Sequence, residues 1–332
     1  MTTNQIIKTY QAQKRKNQRQ AIHRQKELER QRKELHKLTD AQIAAHEVKV
    51  NENHIDLLTS FHAEASEPYD WAELQSTELP QTPEPLSINQ DVARERLHYF
   101  KPSIMQKMLG KEKEIVASLQ QELEAAIAKD KELHENALKE HRESTEEILK
   151  VKEIASGVLD QDLNWYVKAL DHFKPYDEVA KYLTSFQIHS KHNSYLEITI
   201  GVADENTVLP KEEKTLTKSG KVSSKQLTAS RKNEIYGAYV CGISLRIARE
   251  TMALLPVERV IVHVNAQLLN SVTGYKEPKT ILSALYPKAT INQLNFDAID
   301  CIQAMGNFKH NMQFSKTKGF TAIEILDSAI NP

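Results

Sequence analysis

Residues 211–256 constrain the fold more than any other stretch. A polar, lysine-rich segment, KEEKTLTKSGKVSSKQLTASRKN, runs without a break into EIYGAYVCGISLRIARETMALLP. In the second part Ile235, Tyr239 and Ile243, with Val240 and Ile247 beside them, recur at helical spacing and define an apolar, core-facing side. Ser230 is the expected cap, Asn233 and Glu234 fall in the first turn, and Pro256 stops the helix after Leu255. A helix this apolar needs a sheet or other helices over it, so a compact domain is expected around it.

The rest of the chain is read against that helix. With 332 residues, only 9 Gly and 27% charged residues, the composition is helix-rich. No apolar run reaches the roughly 18 residues of a membrane span. The N-terminus MTTNQIIKTYQAQKRK lacks the apolar core of a secretory signal. A cytoplasmic protein with no membrane partner is therefore expected. Cys241 and Cys301, 60 residues apart in apolar surroundings, read as reduced, buried thiols. The net charge of −1 hides an asymmetry: residues 1–38 hold 11 Lys or Arg against 3 Glu, and residues 39–100 hold 12 Asp or Glu against 3 Lys or Arg.

Four segments follow. Residues 1–65, rich in Gln, Lys, Arg, Glu and Ala, read as a basic long helix or coiled coil with a thin seam. Residues 66–88, with four prolines in SEPYDWAELQSTELPQTPEPL, read as an acidic, extended linker in which Trp71 anchors an intramolecular contact. Residues 89–156 read as a second long helix or coiled coil, broken around Lys101-Pro102 and Gly110. Its seam runs through Val116, Leu119, Leu123, Ala126, Leu133, Ala137, Ile148, Val151, Ala155 and Val158, with polar gaps at Asp130, Glu140 and Ser144. The two long helices either fold back as an antiparallel hairpin or join another copy as a homo-oligomer, and the sequence leaves both open. Residues 157–332 read as a C-terminal α/β domain, because aromatics appear there and YLEITIGV alternates as a half-buried strand does. The fold class is α+β: a long N-terminal helical region, then a domain with a small, partly antiparallel sheet and one long core helix.

Three constellations carry candidate chemistry. Lys211, Lys214, Lys218, Lys221, Lys225, Arg231 and Lys232, interleaved with Ser and Thr, suit contacts to phosphate oxygens. On the helix, Arg246, Arg249 and Glu250 share a side at i, i+3 and i+4. Arg246 is expected to pair with Glu250, leaving both arginines as surface residues or as further phosphate ligands. Neither GxxxxGK[ST], GxSxG nor GxGxxG is present. His263, inside VIVHV, reads as a satisfied core or sheet residue.

The third constellation rests on element order. Helix, strand, strand, extended segment, helix, strand resembles in outline the core of the PD-(D/E)xK nucleases, and Glu212-Glu213-Lys214 supplies a formal (D/E)xK. The resemblance covers about 90 residues and implies that Glu197 or Asp204 is the first acid, Glu212 the second and Lys214 the lysine. The acids would then hold Mg²⁺ or Mn²⁺. In this sequence the proposed motif strand is polar and follows Pro210, whereas the family's motif strand is buried.

Three functions follow. The first is a coiled-coil protein whose C-terminal domain and basic arm bind a polyanion, nucleic acid above all, without a cofactor. The second is a metal-dependent nuclease. The third is a non-enzymatic adaptor or scaffold acting through its long helices on a partner protein.

Overall fold

A computed structural model describes residues 40–192 and 195–326. The basic arm over residues 1–38 lies outside the described residues, and of the first expected helix the described part is α1 (Asp40–Thr59). The described residues form two compact units, one of residues 73–153 and one of residues 40–72 with 154–326. The short helix α2 (Trp71–Ser76) stands at the first crossing between them. No helix of the described residues is long and apolar enough to cross a membrane.

The first unit holds α3 (Ile88–His98), α4 (Ile104–Met108) and most of α5 (Glu112–Leu159). The breaks fall where Lys101-Pro102 and Gly110 led one to expect them, Gly110 taking a φ of 66°. Residues 77–90 are not a free linker. Lys152 Nζ donates to the Thr77 carbonyl at 2.9 Å, and His141 Nε2 to the Pro80 carbonyl at 3.0 Å. The Asp130 carboxylate accepts the backbone N–H groups of Asn89 and Gln90 at 3.2 and 2.8 Å. As the segment advances, its partners step back along α5, so it runs antiparallel to that helix. Asp130, one of the polar gaps in the seam, is buried because it supplies from a neighbouring helix the N-terminal acceptor that α3 lacks in its own Ser87.

The second unit continues through α6 (Leu163–Phe173), a 3-10 turn (Ala180–Tyr182), β1 (Leu183–His192) and β2 (Tyr195–Val202). Then come α7 (Glu205–Val208), β3 (Glu212–Leu216), β4 (Val222–Gln226) and the core helix α8 (Ala229–Leu254). It closes with β5 (Arg259–Leu269), β6 (Lys276–Pro287), α9 (Lys288–Ile291), α10 (Cys301–Ala304), β7 (Lys309–Ser315) and β8 (Gly319–Thr321). The six-stranded sheet has the order β1-β2-β5-β6-β7-β8. Only the β2–β5 pair is parallel. The fold class is α+β, with a mixed sheet.

Helix α8 is the crossover between β2 and β5, and it is buried along most of its length. The alternation of β2 turns Leu196, Ile198 and Ile200 inward, all at 0–1% exposure. α1 packs against α8 as well, and residues 61–71 return over the end of α8. There the Tyr69 N–H donates to the Ala253 carbonyl at 2.8 Å, and the Trp71 indole N–H to the Leu254 carbonyl at 2.6 Å. Both carbonyls lie in the last turn, where the helix itself offers no partner. Trp71, 5% exposed, stacks on Tyr69 and meets Phe173 edge-on, the intramolecular anchorage its sequence context suggests. Both cysteines are free and buried, and burial pushes the Cys301 thiol up to about 12.

Candidate functional site

The lysine-rich segment folds as the β3–β4 hairpin and its junction with α8. Glu212 pairs with Gln226, Lys214 with Ser224 and Leu216 with Val222, in a two-stranded sheet separate from the six-stranded one. The turn is ordered: Thr217 N–H donates to the Lys221 carbonyl at 2.8 Å and Gly220 N–H to the Thr217 carbonyl at 3.0 Å. Gly220 takes a φ of 75°, which its missing Cβ permits. Along β3, the Asn51 side chain of α1 acts as a surrogate strand. Its Nδ2 donates to the Glu212 carbonyl and its Oδ1 accepts the Lys214 N–H, both at 2.9 Å. α8 is capped by Thr228 rather than Ser230, Thr228 Oγ1 accepting the Arg231 N–H at 3.2 Å. The hairpin is inserted in the crossover that leaves the carboxyl end of β2. In open α/β sheets that end of a parallel pair is where ligands gather.

The nine cations expected to meet phosphate separate into two groups. Lys211, Lys218, Lys221 and Lys225 are exposed, Lys232 is half-buried, and none enters an ion pair among the described residues. The other four are committed. Lys214 Nζ lies 3.5 Å from Glu47 and 4.0 Å from Glu212. Arg231 bridges Glu213 at 3.2 Å and Glu234 at 3.0 Å, and Glu234, also bound by Lys316, is held below the usual carboxylate range by those hydrogen bonds.

Arg246 is buried and Arg249 half-buried, because residues 62–66 cross over their side of α8. Arg246 does pair with Glu250, at 2.7 Å from Nε to Oε1, but without the alignment of a hydrogen bond. The pair is buried, with Glu178 3.2 Å from Arg246 Nη2. Glu250 also accepts the Ser66 N–H at 3.2 Å, and burial raises its carboxyl above the ordinary 4.5. Arg249 donates to the His62 and Ala63 carbonyls and lies over the Phe296 ring, 3.7 Å from its centroid. These two arginines tie the returning segment to the core helix.

The nuclease candidates fall on three elements, β2, the cap of α7 and β3. Glu197 lies on β2 and meets His263. Asp204 caps α7, accepting the Asn206 N–H at 3.0 Å, and binds Lys276. Glu212 and Lys214 lie on β3, which the family outline puts in the central sheet and which here is outside it. No three His, Cys, Asp or Glu side chains among the described residues group as a cation site.

A polar chain that the sequence reading missed crosses the sheet face opposite α8. Glu197 Oε1 accepts from His263 Nε2 at 3.0 Å, and His263 Nδ1 meets Ser283 Oγ at 2.7 Å. Ser283 Oγ also accepts the Leu326 N–H at 2.9 Å. Ser283 is fully buried; its hydroxyl donates to His263 Nδ1 and accepts the Leu326 N–H, which fixes both the imidazole and the closing segment. The legible signal was a polar residue inside each of two apolar strands, VIVHV and TILSALYP; the pairing of His263 with Ser283 in the β5–β6 register joins them. Asn51 left no such signal, being one polar residue among many in α1. No family model, curated protein or solved structure matches the chain.

Proposed function

We propose that the second unit binds a polyanion, with a nucleic acid backbone as its first candidate, through Lys211, Lys218, Lys221, Lys225 and Lys232 together with the basic arm of residues 1–38. One observation carries the reading. A Cβ placed on Gly220, in the hairpin turn, would lie 3.9 Å from Ala41 Cβ in the first turn of α1. The arm, with its 11 Lys or Arg, therefore joins the described chain beside the turn that presents Lys218 and Lys221. Lys211, Lys218, Lys221, Lys225 and Lys232 enter no ion pair among the described residues, so their charge is open to a polyanion. Lysine ammonium groups of this kind neutralise phosphates by releasing counterions and carry no base readout, so the expected binding is salt-sensitive and tolerant of sequence.

The test is fluorescence anisotropy with single- and double-stranded oligonucleotides across a salt series. The Lys218→Gln/Lys221→Gln/Lys225→Gln protein is expected to bind more weakly, with a log–log salt slope shallower by about 2 to 3. Removal of residues 1–38 is expected to weaken binding further. Undetectable binding of the intact protein at about 50 mM salt, where phosphate contacts are strongest, sinks the reading.

A further inference from the structure

Among the described residues, a run of strongly exposed apolar side chains belongs to the first unit and plays no part in the hairpin site. It is the tip that joins α3 to α5: Ile104 is 82% exposed, Met105 73%, Met108 85% and Leu109 66%, with Tyr99 at 72% nearby. This is an ordered turn of helix. Ser103 Oγ accepts the Gln106 N–H, and the Gln106 side chain accepts the Ser103 N–H at 2.8 Å, a complete capping box. Positions 104, 105, 108 and 109 stand at i, i+1, i+4 and i+5, so the four side chains share one side of α4, and Gln106 and Lys107 take the other. Around them Lys101, Lys107, Lys111 and Lys113 are all exposed and enter no ion pair among the described residues.

An apolar knob with a rim of free ammonium groups matches one kind of occupant closely. We propose that this tip inserts into the headgroup region of an anionic lipid bilayer, with Ile104, Met105, Met108 and Leu109 in the acyl boundary and the four lysines at the phosphates. The tip touches the bilayer from one side without crossing it. Four lysines stand against two glutamates, Glu112 and Glu114, within residues 99–114. A second copy docked tip to tip would therefore set like charges together, whereas a layer of phosphates neutralises them. The protrusion of the side chains favours a deformable surface over a flat protein face.

The probe is vesicles of phosphatidylcholine alone and of phosphatidylcholine mixed with phosphatidylserine, in sedimentation with the full chain. The intact protein is expected to sediment with the mixed vesicles and to stay in solution with the neutral ones. Met105→Asp/Met108→Asp is expected to lose binding by about tenfold or more while retaining its circular dichroism and its oligonucleotide affinity. Lys218→Gln/Lys221→Gln/Lys225→Gln is expected to keep vesicle binding, which separates this tip from the hairpin. In a Leu109→Trp protein, whose indole samples the tip, emission is expected to shift to the blue on mixed vesicles. Vesicle binding unchanged by the Met105/Met108 substitutions overturns the proposal, and so does an oligomer that forms without lipid and is dissolved by them.

Discussion

His62 and His263 are 7% and 2% exposed, and in each the loss of solvent holds the imidazole below its ordinary 6.5. For His263 the Glu197 carboxylate pulls the other way without winning. A depressed folded pKa means that the unfolded chain binds more protons just below 6.5, so the stability these residues contribute is present above 6.5 and is lost as pH falls through the folded values. Glu250 has the opposite sign, its raised carboxyl costing stability as pH climbs above 4.5. The melting temperature is therefore expected to fall as the protein is acidified from neutrality through the imidazole window. A His62→Gln/His263→Gln protein is expected to show a flatter dependence there, whatever its absolute stability. An unchanged slope in thermal melts across that window would show that burial of the two rings does not set it. At this scale the sequence was partly readable. His263 as a satisfied sheet residue followed from its apolar neighbours, but the burial of Arg246 and Glu250 did not, since nothing in ISLRIARE reveals a segment nearly 190 positions upstream folding over it.

At the scale of elements, the backbone of the hairpin's β3 edge is bonded to α1 through the Asn51 amide. Replacing Asn51 with Leu removes both its acceptor and its donor, leaving the Lys214 N–H and the Glu212 carbonyl to water or to nothing. The expected outcome is faster hydrogen exchange at Lys214 and along β3, with exchange in β5 unchanged, as followed by amide-resolved mass spectrometry or NMR; equal protection in both proteins would mean that the hairpin is held elsewhere. The strands of the main sheet were legible from alternation and β-branched content, as YLEITIGV shows, and so was α8. What the sequence concealed was the partner of each strand. Residues 212–216 are extended as expected, but Pro210 and the polar pattern EEKTL leave nothing to bury against the central sheet, and the strand pairs locally with VSSKQ instead. Val208, which with Leu209 and Pro210 reads from the sequence as an extended piece, instead ends the short helix α7, capped by Asp204, and only Leu209 onward is extended.

The two units differ in how much they bury. α8 has 18 buried residues, whereas α3 has Ala93 alone and α4 none. Local opening costs least where few apolar contacts are lost. Amides of α3 and α4 are accordingly expected to exchange about tenfold or more faster than those of α8 under native conditions. Equal protection would mean that the first unit is covered by something besides its own chain, such as a second copy along the seam. The division at residues 153–154 falls a few residues before Gly157, where aromatics become frequent in the sequence; the assignment of residues 40–72 to the later unit depends on contacts with α8 rather than on any local pattern.

The Tyr69 and Trp71 contacts with Ala253 and Leu254 also bear on the order in which the protein is made. The donors leave the ribosome about 180 residues before the carbonyls they satisfy. The core helix therefore emerges to find its closing partners already waiting, and only the sheet from β5 onward remains to be added. A circular permutant that moved residues 40–72 to the end of the chain would reverse that order and leave the last turn of the helix open until synthesis finished.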